Sequence, residues 1–115
     1  MRYPTELTGQ EILGVYIHEP GALFSNVAIS LTCFITAIAN RNVKIRSSRL
    51  WVLFVICIGV AATGGMISHG FPTYLSREQY FAVWWLKNDF VLLGNLFAGL
   101  AVFSMTSVSP RNLTW

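Results

Sequence analysis

Three long uncharged stretches, Ala22–Ala39, Leu50–Ile67 and Phe90–Val108, leave this chain little choice of fold. Each meets the length of about 18 apolar residues that a bilayer-crossing helix needs at a rise of about 1.5 Å per residue. Lipid offers no partner for peptide N–H and C=O groups, so each run must satisfy its own backbone as an α-helix. Composition agrees, since 54% of the residues are hydrophobic and only 11% are charged, against roughly 25% charged in soluble domains. Too few polar side chains remain to coat a water-soluble globule. The predicted fold is all-α: a polytopic membrane protein with three transmembrane helices, one domain over residues 1–115, and spans at 22–39, 50–67 and 90–108.

Charge then orients the chain. Four of its eight basic residues, Arg41, Lys44, Arg46 and Arg49, crowd into the loop between the first two runs. The positive-inside rule makes that loop cytoplasmic. The N-terminus and the segment from Ser68 to Asp89 are then expected outside, and the C-terminal tail with Arg111 inside. The net charge of +3 reports this clustering and not a nucleic-acid surface. Ala37-Ile38-Ala39 resembles a signal-peptidase site, but a cleaved signal carries its positive charge before the apolar stretch. Here Arg2 is outnumbered by Glu6, Glu11 and Glu19, so the first run is expected to remain as a span.

The connections carry their own signals. The run from Glu11 to Ile17 is expected to lie against the membrane surface with Tyr16 as an interfacial anchor, and Pro20-Gly21 marks the start of the first helix. Between the second and third spans, Phe71, Tyr74, Tyr80, Phe81, Trp84 and Trp85 have the composition of an aromatic belt. Ser76 and Gln79 have the spacing of a capping box that opens a helix at Arg77. That helix either lies along the surface as a short interfacial element to Lys87 or runs straight into the third span; periodicity does not choose. Small residues, Gly59, Ala61, Ala62, Gly64 and Gly65 on the second run and Gly94, Ala98 and Gly99 on the third, predict close helix packing. Cys33 and Cys57 fall at similar depths on adjacent helices, near enough to touch, and are expected to be reduced apolar fillers.

Applying this topology to the ionisable groups gathers them at one surface. His18 and Glu19 precede the first helix, Ser68 and His69 end the second, and Asp89 begins the third run. Ionisable residues at a membrane boundary are candidates for function. Histidine with carboxylates is a ligand set for zinc or another divalent metal. The candidate set is therefore Glu19, His69 and Asp89 for a metal or a lipid headgroup, with His18 and Ser68 beside them. The plainer alternative is that boundary residues simply reach headgroups and water. Within the spans, Asn26, Ser30 and Cys33 share a helical face, and Asn26 and Asn95 are both expected to point inward. Interhelical hydrogen bonding, worth about 0.6 kcal/mol on average, is favoured for them over a transport pathway. Asn112-Leu113-Thr114 fits a glycosylation acceptor but falls on the cytoplasmic side. Gly64-Gly65 lies inside a span with no Lys-Ser or Lys-Thr pair after it, which excludes a phosphate-cradling loop and nucleotide hydrolysis.

The order of these motifs, Glu19-Pro20 before Ser25-Asn26, then Gly64-Gly65-Met66-Ile67-Ser68-His69-Gly70-Phe71, then Asp89, resembles the opening half of a bacterial membrane family distantly similar to the alkaline ceramidase and adiponectin-receptor superfamily. The resemblance implies a bacterial inner-membrane location, a seven-helix fold and a metal-dependent lipid-amide hydrolase. It also implies metal-site roles for Glu19, Ser68, His69 and Asp89, and two further histidines on a last helix. This chain departs from that pattern: Ser68 stands directly before His69 and not a turn earlier, and the interval from His69 to Asp89 is long. With three helices the remaining ligands would have to come from a longer product or another chain. Two rival functions stand beside this one. The chain could serve as a non-enzymatic assembly subunit packing on partner helices or its own copies, or as a half-size transporter that dimerises around Asn26 and Asn95.

Overall fold

The computed structural model describes residues 9–106. A two-stranded antiparallel hairpin, β1 (Gln10–Ile12) and β2 (Val15–Ile17), leads into three helices: α1 (Pro20–Ala39), α2 (Arg46–Gly70) and α3 (Arg77–Thr106). A single 3-10 turn, Pro72–Tyr74, joins α2 to α3. All three helices are long and apolar enough to cross a membrane. The tail with Arg111 and the Asn112-Leu113-Thr114 tripeptide lies outside the described residues.

Each element has a local cause. The hairpin turns at Leu13-Gly14, where both residues have positive φ, 52° and 80°. That is the geometry whose twist matches two-residue hairpin loops. The expected surface-lying run is thus a folded hairpin, with Leu13 fully exposed at its tip. Pro20 occupies the first turn of α1, where its missing N–H has no helical partner to lose. At the start of α3 the capping box is complete: the Ser76 N–H donates to Gln79 Oε1 at 2.9 Å and the Gln79 N–H to Ser76 Oγ at 3.2 Å.

The central helix is α2. Helices α1 and α3 each pack along it in antiparallel fashion, and packing between α1 and α3 themselves is negligible. On the α1 side Leu23 lies against Gly70, Asn26 against Gly65, and Cys33 against Gly59. Ser30 Oγ and Thr63 Oγ1 bond at 2.8 Å across the seam. On the α3 side Lys87 lies over Gly64, and Cys57 lies against Gly94. The two cysteines therefore face different seams, and both are free thiols. A Cβ at Gly64 would come 2.9 Å from Lys87 Cβ, and one at Gly65 2.9 Å from Asn26 Oδ1, so only glycine permits either approach.

Of the two readings of the segment after the capping box, the structure has the second: α3 runs without a break from Arg77 into the third span. Two expectations about α3 change. The charges of Arg77, Glu78, Lys87 and Asp89 interrupt the apolar run but not the helix. Asp89 consequently sits about 18 Å into α3 and not at its head. Asn95 does not point inward; it is exposed on α3, whereas Asn26 is packed against Gly65.

Candidate functional site

Helix α2 ends in carbonyl groups that have no partner within the helix. Two of them are met by the two residues between β2 and α1: the His18 N–H donates to the Gly70 carbonyl at 3.0 Å, and the Glu19 N–H to the His69 carbonyl at 3.1 Å. The hairpin is held from its other side by the Tyr16 N–H, which donates to Tyr74 Oη at 3.1 Å. These backbone bonds put the Glu19 carboxylate directly over the last turn of α2. Its Oε2 lies 2.8 Å from His69 Nδ1.

The other ring nitrogen is engaged from α3. Lys87 Nζ lies 3.3 Å from His69 Nε2. An ammonium can only donate, so Nε2 accepts and Nδ1 carries the proton that it donates to Glu19. The result is a polarised chain, lysine to histidine to glutamate, in which a neutral imidazole separates one positive from one negative end. Half of the Glu19 side chain (47%) and 39% of the His69 side chain remain exposed. His18 stands behind, its Nε2 3.7 Å from Glu19 Oε1. Its Nδ1 is buried and has no hydrogen-bond partner among the described residues. Ser68 is buried and donates back to the Gly65 carbonyl at 3.3 Å, so it faces into the bundle and not toward the imidazole chain.

A cleft of about 230 Å³ opens beside the chain. Helix α2 is its floor through Gly65 and His69, and its polar lining is completed by Asn26 from α1 and by Lys87 and Asn88 from α3. The cleft exists because α1 and α3 share α2 without closing on each other. The Asn26 amide already donates to the Ala22 carbonyl at 2.8 Å, which fixes its side chain against Gly65.

Of the expected metal set, Glu19 and His69 meet and Asp89 does not. Lys87 lies level with Gly64, and Asp89 two residues further on is about 10 Å deeper along the bundle than His69. It is also exposed, since two residues of helix carry it to the side away from α2. Among the described residues no three His, Cys, Asp or Glu side chains are grouped so as to hold a metal ion. With both nitrogens of His69 occupied and an ammonium on one of them, the residues present do not fit a zinc site. Sequence reasoning missed Lys87, which it named only as the far end of an interfacial helix. The signal lay in the capping box: a helix opening at Arg77 places Lys87 well inside it, where only a long side chain climbing toward the boundary keeps its charge near water.

A family model described as a family of unknown function, DUF6962, matches residues 22–115. The chain belongs to that family. The DUF6962 match takes in nearly all of α1 and the whole of α2 and α3, and with them His69, Lys87, Asn26 and Asn88; it begins after Glu19, so the hairpin and the carboxylate lie outside it. No curated protein and no solved structure matches the chain.

Proposed function

We propose that this protein is a small multi-pass membrane protein whose cleft at the hairpin end receives a phospholipid headgroup, in the outer leaflet of the membrane. The outer placement follows from the basic loop at the other end of the bundle. The observation that carries the proposal is the position of Lys87. Its ammonium is held at the polar end of a largely apolar cleft that opens laterally between α1 and α3, where a lipid can enter from the bilayer without leaving it.

The chemistry selects a headgroup class. The site presents one cation, Lys87, and one half-exposed anion, Glu19, separated by the width of an imidazole. A zwitterionic headgroup with a primary ammonium matches both ends: its phosphate takes the Lys87 N–H donors, and its ammonium donates to Glu19. Asn88 adds an amide donor at the cleft wall. A quaternary ammonium has no N–H to give Glu19, so a choline headgroup is the poorer ligand.

The test is native mass spectrometry of the detergent-purified full chain after a delipidating wash, with phosphatidylethanolamine, phosphatidylcholine or phosphatidylglycerol added back. About one retained phosphatidylethanolamine per chain is expected, weakened at least about tenfold by Lys87→Gln, the scale of one lost charge-assisted hydrogen bond, and unchanged by Lys44→Gln in the basic loop. Equal retention of all three lipids, or retention indifferent to Lys87→Gln, would overturn the proposal.

A further inference from the structure

We propose that α3 pairs in parallel with α3 of a second copy of this chain, through a seam formed by Leu92, Asn95, Gly99, Val102 and Thr106. These positions advance by alternating steps of four and three along α3, the spacing of a single coiled-coil seam. The seam is distinct from the face that packs on α2, whose buried members are Tyr80, Gly94 and Ala101. From Leu92 onward every seam residue is exposed, Leu92 to 68%.

Depth makes this exposure costly. Trp84 and Trp85 form an edge-to-face pair and mark the interfacial level of α3. Asn95 lies ten residues beyond Trp85, about 15 Å inward, which is the middle of a hydrocarbon core about 30 Å thick. The Asn95 side chain has no hydrogen-bond partner among the described residues. An amide left unpaired in hydrocarbon is unfavourable, so a bare α3 is a poor surface to show to lipid at this position.

A second copy is the occupant that the seam itself specifies. Copies of one chain insert with the same orientation, so a two-fold axis along the bilayer normal brings Asn95 opposite Asn95. A carboxamide is both donor and acceptor and closes such a pair with its own kind. Gly99 helps the approach: a Cβ built there meets nothing within 4 Å, so the absent side chain leaves room for a partner helix and not for a neighbour in the same chain. Leu92 packs in the layer next to Asn95.

Two measurements test the pairing. In liposomes at low protein density, single-molecule photobleaching of the labelled full chain with its native cysteines should show dimers. Asn95→Leu should lower their association about three- to tenfold, and Asn95→Gln should restore it. In a Cys33→Ala/Cys57→Ala background, oxidative cross-linking should join Leu92→Cys and Val102→Cys and should spare Leu93→Cys and Leu100→Cys on the opposite side of α3. Monomeric wild-type protein in liposomes, dimers indifferent to Asn95→Leu, or cross-links spread evenly around α3 would each overturn the proposal.

Discussion

The two halves of α2 use different means to hold the bundle. Every buried residue of this helix lies in the half toward the hairpin, from Cys57 to Gly70, and all but Cys57 and Ser68 are glycine or alanine. The other half, Arg46–Ile56, contributes none. There Trp51 and Leu53 are 38% and 40% exposed, and a cleft of about 250 Å³ lined by Thr36, Asn40, Ser48, Trp51 and Val55 separates α1 from α2. Small side chains let backbones approach; bulky ones point outward and hold them apart. The bundle is thus tight where its charged chain sits and loose at the basic loop.

That contrast can be broken most directly at Gly65. Gly65→Leu would force a side chain into the Asn26 amide and should cost about 3 kcal/mol, the upper end of overpacking penalties, read as a fall in the midpoint of thermal unfolding in detergent. Ser76→Ala removes one half of the reciprocal cap on α3 and should cost about 1 kcal/mol, with faster hydrogen exchange confined to the first turn. Ser30→Ala deletes the only side-chain hydrogen bond across the α1–α2 seam among the described residues, and about 0.6 kcal/mol is expected. At the loose end, Leu53→Ala should change stability by less than about 0.5 kcal/mol. A Leu53→Ala loss as large as that of Gly65→Leu would erase the distinction between the halves.

The helices were legible because each carries an apolar run long enough to demand one. What could not be read was where α3 begins, because the run starts at Phe90 whereas the helix starts thirteen residues earlier at Arg77. Backbone hydrogen bonding does not stop at a charged side chain. The displaced start explains both errors at the site: Asp89 was expected beside His69, and Lys87 was not expected there at all. The meeting of Glu19 and His69 was legible, since topology alone puts both at one end of the bundle. The hairpin was not, because Leu13-Gly14 lacks the Asn-Gly or Asp-Gly signature of a two-residue turn. Asn95 was assigned inward on the rule that polar residues avoid lipid, whereas neither α1 nor α2 covers the face of α3 on which it lies.

The two backbone bonds from His18 and Glu19 to the end of α2 have a consequence for how the protein is made. Glu19 emerges from the ribosome long before His69, which lies 50 residues further along the chain. Its acceptors on α2 come within reach only once α1 and α2 lie antiparallel against each other. A slip of one residue between those helices would carry the His69 carbonyl about 1.5 Å along the axis and break the pair of bonds together. Closure of the hairpin onto α2 therefore ties the direction and register of the first two helices together, and the Glu19–His69 contact forms only in that register.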